Sequence, residues 1–141
     1  MLPLKGKNKV TAYFKQKNKM LWKTFGWHTG IDFVGSDDVY STVKGAVHNV
    51  AYDKSYGNYI IIQESGTNRY HYFCHLAKTL VKIGNVVQEG VTKIGIMGST
   101  GNSIGKHLHY EIRINKVFSS TSLVNPADFL GIKNEKGEYY S

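Results

Sequence analysis

The chain has a single cysteine, only two prolines and two arginines in 141 residues, and no apolar run long enough to span a membrane. One cysteine, Cys74, excludes an intramolecular disulfide. None is needed, because a chain of this size buries roughly 68–70% of its unfolded surface. The first residues do not read as a secretory leader, since lysines interrupt every apolar stretch. Arginine is the favoured base-reading side chain, and only Arg69 and Arg113 supply it, so nucleic acid is not the expected partner. A His-Glu-x-x-His helix is missing, and with it a glutamate base of that kind. A phosphate loop is missing too. Counting back from Gly105-Lys106, Thr100 stands where the first glycine should, and His107 stands at the Ser/Thr position. The valine- and glycine-rich segment from Val81 to Gly95 lacks the Met-Lys hairpin of a biotin or lipoate carrier.

What the chain does have is glycine, tyrosine and β-branched residues, which point to short strands and tight turns. It also has lysine, unevenly placed. Residues 1–23 carry seven lysines and no acid, whereas the remainder holds eleven basic and ten acidic side chains. A nearly neutral globular part therefore carries a cationic N-terminal segment. That segment reads either as a solvated sheet edge that discourages aggregation or as a patch attracted to an anionic polymer. Strands are expected over Lys9–Phe14, Val39–Val43, Ala46–Val50, Tyr59–Glu64 and Arg69–His75, with Gly45 breaking the second from the third. A short closing helix is expected over Asn125–Leu130 with Pro126 in its first turn, and residues 131–141 read as a loosely held polar tail. Trp22, Phe25 and Trp27 pack in the core or wall a groove. His48 is expected on the surface.

The chemistry gathers in His107-Leu108-His109-Tyr110-Glu111. As a strand it places His107, His109 and Glu111 on one face and Leu108, Tyr110 and Ile112 on the other. Two imidazoles and a carboxylate are costly to desolvate without a task. His28-Thr29-Gly30-Ile31-Asp32 supplies the second half. Extended, it would separate His28 from Asp32 by roughly 13 Å, too far for one metal, so the backbone must bend, and Gly30 permits it. A histidine and an aspartate from that bend, with a histidine from the strand, make three N/O ligands. That set suits zinc with its fourth position open, the catalytic arrangement. Along Arg69–His75, alternation puts His71, Phe73 and His75 on one face and Tyr70, Tyr72 and Cys74 on the other. A Cys74–His75 nucleophile pair is disfavoured on that ground.

His28-x-x-x-Asp32, Cys74-His75-Leu76 and His107-x-His109-x-Glu111 together resemble the M23 family of zinc metallopeptidases, which includes lysostaphin-like and LytM-like cell-wall endopeptidases. Val81-x-x-Gly84-x-x-Val87-x-x-Gly90, Ile94-Gly95-x-x-Gly98-x-Thr100-Gly101 and Asn125-Pro126 follow in the same order, so the resemblance covers roughly residues 26 to 130. Phe73 departs from the family's usual tyrosine. The resemblance implies a mainly β, antiparallel barrel-sandwich of the duplicated hybrid motif kind, with an open groove and few helices, in a single domain spanning 1–141. It implies one zinc per chain on His28, Asp32 and His109, with His75 and His107 handling the attacking water or the oxyanion. Glu111 would orient a ligand from behind or pair with a lysine. The implied substrate is a peptide of bacterial peptidoglycan, met outside the cell after delivery by lysis or a phage particle. Anionic wall polymers are the implied partner of the lysine segment. An inactive wall-binding or activator module is the alternative.

Overall fold

Alternating apolar and polar residues dominate the chain, and a computed structural model describing residues 1–141 turns them into eleven strands and one short helix. In order these are β1 Lys7–Ala12, β2 Ile31–Gly35, β3 Asp38–Tyr40, β4 Gly45–Asp53, β5 Gly57–Glu64, β6 Arg69–Thr79, β7 Val86–Val87, β8 Lys93–Met97, β9 Leu108–Ile114, β10 Leu123–Val124, α1 Pro126–Leu130 and β11 Gly137–Tyr140. They join one open antiparallel sheet with the path β11-β1-β2-β9-β6-β5-β4-β7, β10 lying beside β9 and β8 joining β3 to β6. The helix-poor, mainly antiparallel architecture is the expected one.

Leu108, Tyr110 and Ile112 of β9, Phe33 of β2, Phe73 of β6 and Ile60 and Ile62 of β5 share one buried core. The opposite face of the same central strands carries Asp32, His109, Glu111 and Arg113, with Tyr72, Cys74 and Ile61 in a smaller cluster beside them. One face thus holds the molecule together and the other is left for polar groups.

Several expectations are corrected. Residues 131–141 are not a loose tail: β11 pairs with β1 in the register Lys7↔Tyr140 to Val10↔Gly137. β1 consequently has β2 on its other side and is no sheet edge, so its lysines guard none. The strand expected over Val39–Val43 stops at Tyr40, because Ser41 and Thr42 turn their hydroxyls to Val43 O (2.6 Å) and Tyr110 Oη (2.9 Å). Gly45 opens β4 rather than breaking a strand. The closing helix forms as expected with Pro126 in its first turn, and Asn125 stands just outside it as the cap, its side chain accepting from the Ala127 amide.

The sharpest departure lies in β6. Its first half pairs with β5 and β9, and from Leu76 onward it pairs with β8. The exchange of partners falls at His75, whose φ is 65°. That left-handed conformation breaks the period-two alternation. His71 and Phe73 stay on the core face, while His75 turns onto the face of His109.

Candidate metal centre

His28 ends the loop that leads into β2, and the chain bends at Thr29-Gly30 before Ile31 enters the sheet. Gly30 is required for space: a Cβ there would run into the carbonyl of Tyr110 on the adjacent strand. The β2–β9 register sets Asp32 directly against His109. The result is a triangle of donor atoms. His28 Nε2 lies 3.2 Å from His109 Nδ1 and 3.2 Å from Asp32 Oδ1, and His109 Nδ1 lies 3.0 Å from Asp32 Oδ1.

The hydrogen bonds behind the triangle decide what its corners present. His28 Nδ1 faces the carbonyl of Tyr13 at 3.2 Å, and His109 Nε2 faces Glu111 Oε1 at 2.9 Å. Both partners accept only, so those nitrogens carry the protons and the inner nitrogens carry lone pairs. Two imidazole lone pairs and a carboxylate oxygen then converge with no hydrogen between them, which calls for a cation. Donors held ~2.0–2.1 Å from a tetrahedral zinc stand ~3.3–3.4 Å apart, and the observed triangle needs only slight opening to fit. Burial would depress the His109 pKa, but hydrogen bonds and charges from Asp32 and Glu111 raise it to about 9. Burial raises the Asp32 pKa, yet His109 and His28 outweigh it and hold the carboxyl well below the usual range.

The triangle opens into a groove of about 860 Å³ whose lining includes Leu21, Trp22, Ile104 and Lys106. His75 and His107 stand over it with ring centroids 4.7 Å apart. His75 Nδ1 donates to Thr100 O at 2.7 Å and His107 Nδ1 to Gly105 O at 2.8 Å, so both Nε2 atoms carry lone pairs, that of His107 lying 3.7 Å from Asp32 Oδ2. Burial first, then the neighbouring His109 and His107, push the His75 pKa down to about 4, which leaves its ring neutral at pH 7. The loops holding His75 meet backbone to backbone at Gly57 and Gly101, where a Cβ on either glycine would collide with the other loop. Gly101 therefore serves internal packing.

All five residues singled out in the sequence, His28, Asp32, His75, His107 and His109, border this one groove. Other residues fall elsewhere. His71 is fully buried on the core side, bonded to Tyr110 Oη (2.6 Å) and Glu64 Oε1 (2.8 Å), and does not edge the groove. Phe73 faces the core, so a hydroxyl there would point away from the groove. Cys74 is wholly buried, with a thiol pKa pushed up by burial and then by Glu111. Of the three aromatics, Trp22 lies in the groove wall, stacked on His28 at 4.5 Å, Phe25 packs against the core, and Trp27 does both, packing on the core and on Phe14 while lining the groove. Glu111 pairs with Arg113 Nε at 2.6 Å, not with a lysine. Period two alone places Arg113 beside Glu111, a signal the sequence offered. The sequence assigned no role to Tyr56, whose hydroxyl reaches Glu111 at 3.0 Å.

An open antiparallel sheet thus brings three N/O donors, His28, Asp32 and His109, close enough together to hold one metal ion, with the imidazoles of His75 and His107 beside them. The chain belongs to peptidase family M23, whose model matches residues 26–122. It is 36% identical over 99 residues to the peptidoglycan DD-endopeptidase ShyC of Vibrio cholerae, covering 69% of this chain and 22% of that protein. Its fold is similar to the catalytic domain of the antimicrobial peptidase lysostaphin from Staphylococcus simulans, with TM-score 0.73, 29% identity, and 87% and 91% of the two chains covered. It is also similar to a zinc containing peptidase from Vibrio cholerae, with TM-score 0.71, 31% identity, and coverage of 87% and 37%. The chain spans about a quarter of the length of the curated relatives it matches.

Proposed function

We propose that the chain is a zinc-dependent endopeptidase that cleaves peptide bonds of bacterial peptidoglycan, in the stem or the cross-bridge, and that residues 1–141 act as one domain. The convergence of lone pairs from His28, Asp32 and His109 on a point open to the groove carries this reading. Membership of the M23 family and the endopeptidase name of ShyC support it. One zinc per chain held by these three residues would act as a Lewis acid that lowers the pKa of water to about 7.

The chain's own residues do the rest. His28 and His109 are oriented from behind by Tyr13 O and Glu111, so neither ring can turn its lone pair away. His75 and His107 present Nε2 lone pairs to the groove and between them take the proton of the attacking water and hydrogen-bond the tetrahedral oxyanion. Lys23 lines the groove with Trp22, and the exposed lysines of residues 1–23 hold the enzyme on anionic wall polymers. The site of action is the wall outside the cell, reached after lysis or from a phage particle.

Digestion of defined peptidoglycans by the zinc-loaded chain, with the fragments weighed by mass spectrometry, tests the reading. The expected result is one zinc per chain and new peptide termini at a single bond type. Zinc-loaded protein that binds walls but releases no fragments would instead establish an inactive module.

A further inference from the structure

Behind His109 sits a polar cage that the proposed reaction does not itself use. Glu111 is fully buried, and four side chains donate to its two oxygens. Oε1 accepts from His109 Nε2 (2.9 Å), Thr29 Oγ1 (2.7 Å) and Tyr56 Oη (3.0 Å). Oε2 accepts from Arg113 Nε (2.6 Å) and shares the Tyr56 hydroxyl at 3.0 Å. Tyr56 Oη in turn accepts from Arg113 Nη2 at 2.6 Å, and its ring lies stacked along His109 at 5.9 Å.

Each donor has a separate consequence. Arg113 supplies the positive charge that makes an ionised Glu111 tolerable in the interior. It also competes with His109, because a guanidinium left to itself takes a carboxylate with both oxygens side by side. Tyr56 prevents this. By occupying Nη2, its hydroxyl limits Arg113 to one oxygen of Glu111, and Thr29 pins the other oxygen where His109 Nε2 meets it. We propose that Tyr56 and Thr29 are positioning residues for the metal ligand His109, acting through Glu111. The inference rests on His109 being a zinc ligand, as argued above. Without the Tyr56 hydroxyl, Arg113 closes bidentately on Glu111, the carboxylate swings from His109, and the imidazole loses the partner that fixes its tautomer.

Tyr56→Phe keeps the ring and removes only the hydroxyl, and Thr29→Val keeps the side-chain shape. The first measurement is zinc affinity of the full chain by competition with a chromophoric chelator. Removing an outer partner of this kind typically costs 10–100-fold in affinity, and each variant is expected near ~10-fold. The second is the nitrogen-15 spectrum of the chain stripped of metal by a chelator, in which the neutral His109 ring is the single Nε2–H tautomer in the parent and a mixture in Tyr56→Phe. A merely structural role would lower the unfolding temperature and leave both readouts unchanged. Unchanged zinc affinity and tautomer in a folded Tyr56→Phe overturns the inference for Tyr56. Should that variant fail to fold, Thr29→Val decides, and parental affinity there overturns the cage as a device for His109. A parent chain that binds no zinc removes the metal reading itself, a distinct outcome.

Discussion

His75 is the one histidine of the groove placed there by an unfavourable backbone conformation, and this makes two substitutions informative together. Its φ of 65° puts a branched Cα in the left-handed region, which costs a non-glycine residue roughly 1–2 kcal/mol. The observed return on that strain is an imidazole on the groove face instead of in the core. His75→Ala removes the ring and its 2.7 Å bond to Thr100 O but keeps the strain, whereas His75→Gly removes both. Glycine should therefore be about 1 kcal/mol more stable than alanine here, although glycine loses more freedom on folding. In a chain of this length that is a difference of about 3–4 °C in melting temperature. Both variants should retain zinc, since His75 is outside the donor triangle and its ring centroid stands 6.2 Å from that of His109. Both should lose ~10²–10⁴ in turnover, the usual consequence of removing a positioned acid–base group, with little change in substrate affinity. Scanning calorimetry, metal analysis and a wall-lysis rate on the same preparations supply the three readouts. If His75→Gly melts no higher than His75→Ala, strain is not what places the ring. A variant that is zinc-depleted, or zinc-loaded and fully active, refutes the role given to His75.

Alanine at His28, Asp32 or His109 should each give protein largely free of zinc, and parental affinity in His109→Ala would disprove the ligand set. His71 provides a pH signature of folding: burial presses its pKa to about 4 despite Glu64, against ~6.5 in the unfolded chain. Its contribution is then complete above about pH 6.5 and declines by up to about 3 kcal/mol as pH falls toward 4, because the unfolded state takes up the proton first. Urea midpoints for parent and His71→Gln should converge across that window, and parallel curves would refute the assignment. Lys9, Lys17 and Lys19 are exposed and have no carboxylate partner, so replacing all three by glutamine should weaken wall binding as added salt does, while cleavage of a small soluble peptide is spared. Wall binding that ignores salt would remove the idea.

The donor set was legible because alternation along β9 and the resemblance of two short motifs act on residue types with few other uses in a buried strand. His109 and Glu111 do share a face, as period two requires, and Asp32 reaches them through the β2–β9 register. Alternation failed at His75, because a single left-handed residue reverses every face assignment after it and nothing in Cys74-His75-Leu76 announces that conformation. The partner of Glu111 was misjudged for a different reason. Lysines outnumber arginines heavily in this chain, but a desolvated carboxylate favours the arginine two residues on, which also stacks 4.1 Å from the Tyr72 ring. The final strand escaped notice because Gly137–Tyr140 is polar and short, and its order comes from pairing with β1, more than 120 residues away in sequence.

Cys74 stands opposite His109 in the β6–β9 ladder, wholly enclosed and with its thiol pKa well above the ordinary value. The reacting form of a thiol is the thiolate, so alkylating reagents find nothing to attack while these strands stay paired. Cysteines introduced on the surface can therefore carry a dye or a spin label without first removing the native one. The native thiol, meanwhile, works as an internal clock: it becomes modified only when β6 and β9 part, and with reagent concentrated enough to outpace reclosing it reports the rate at which the strand bearing His109 opens.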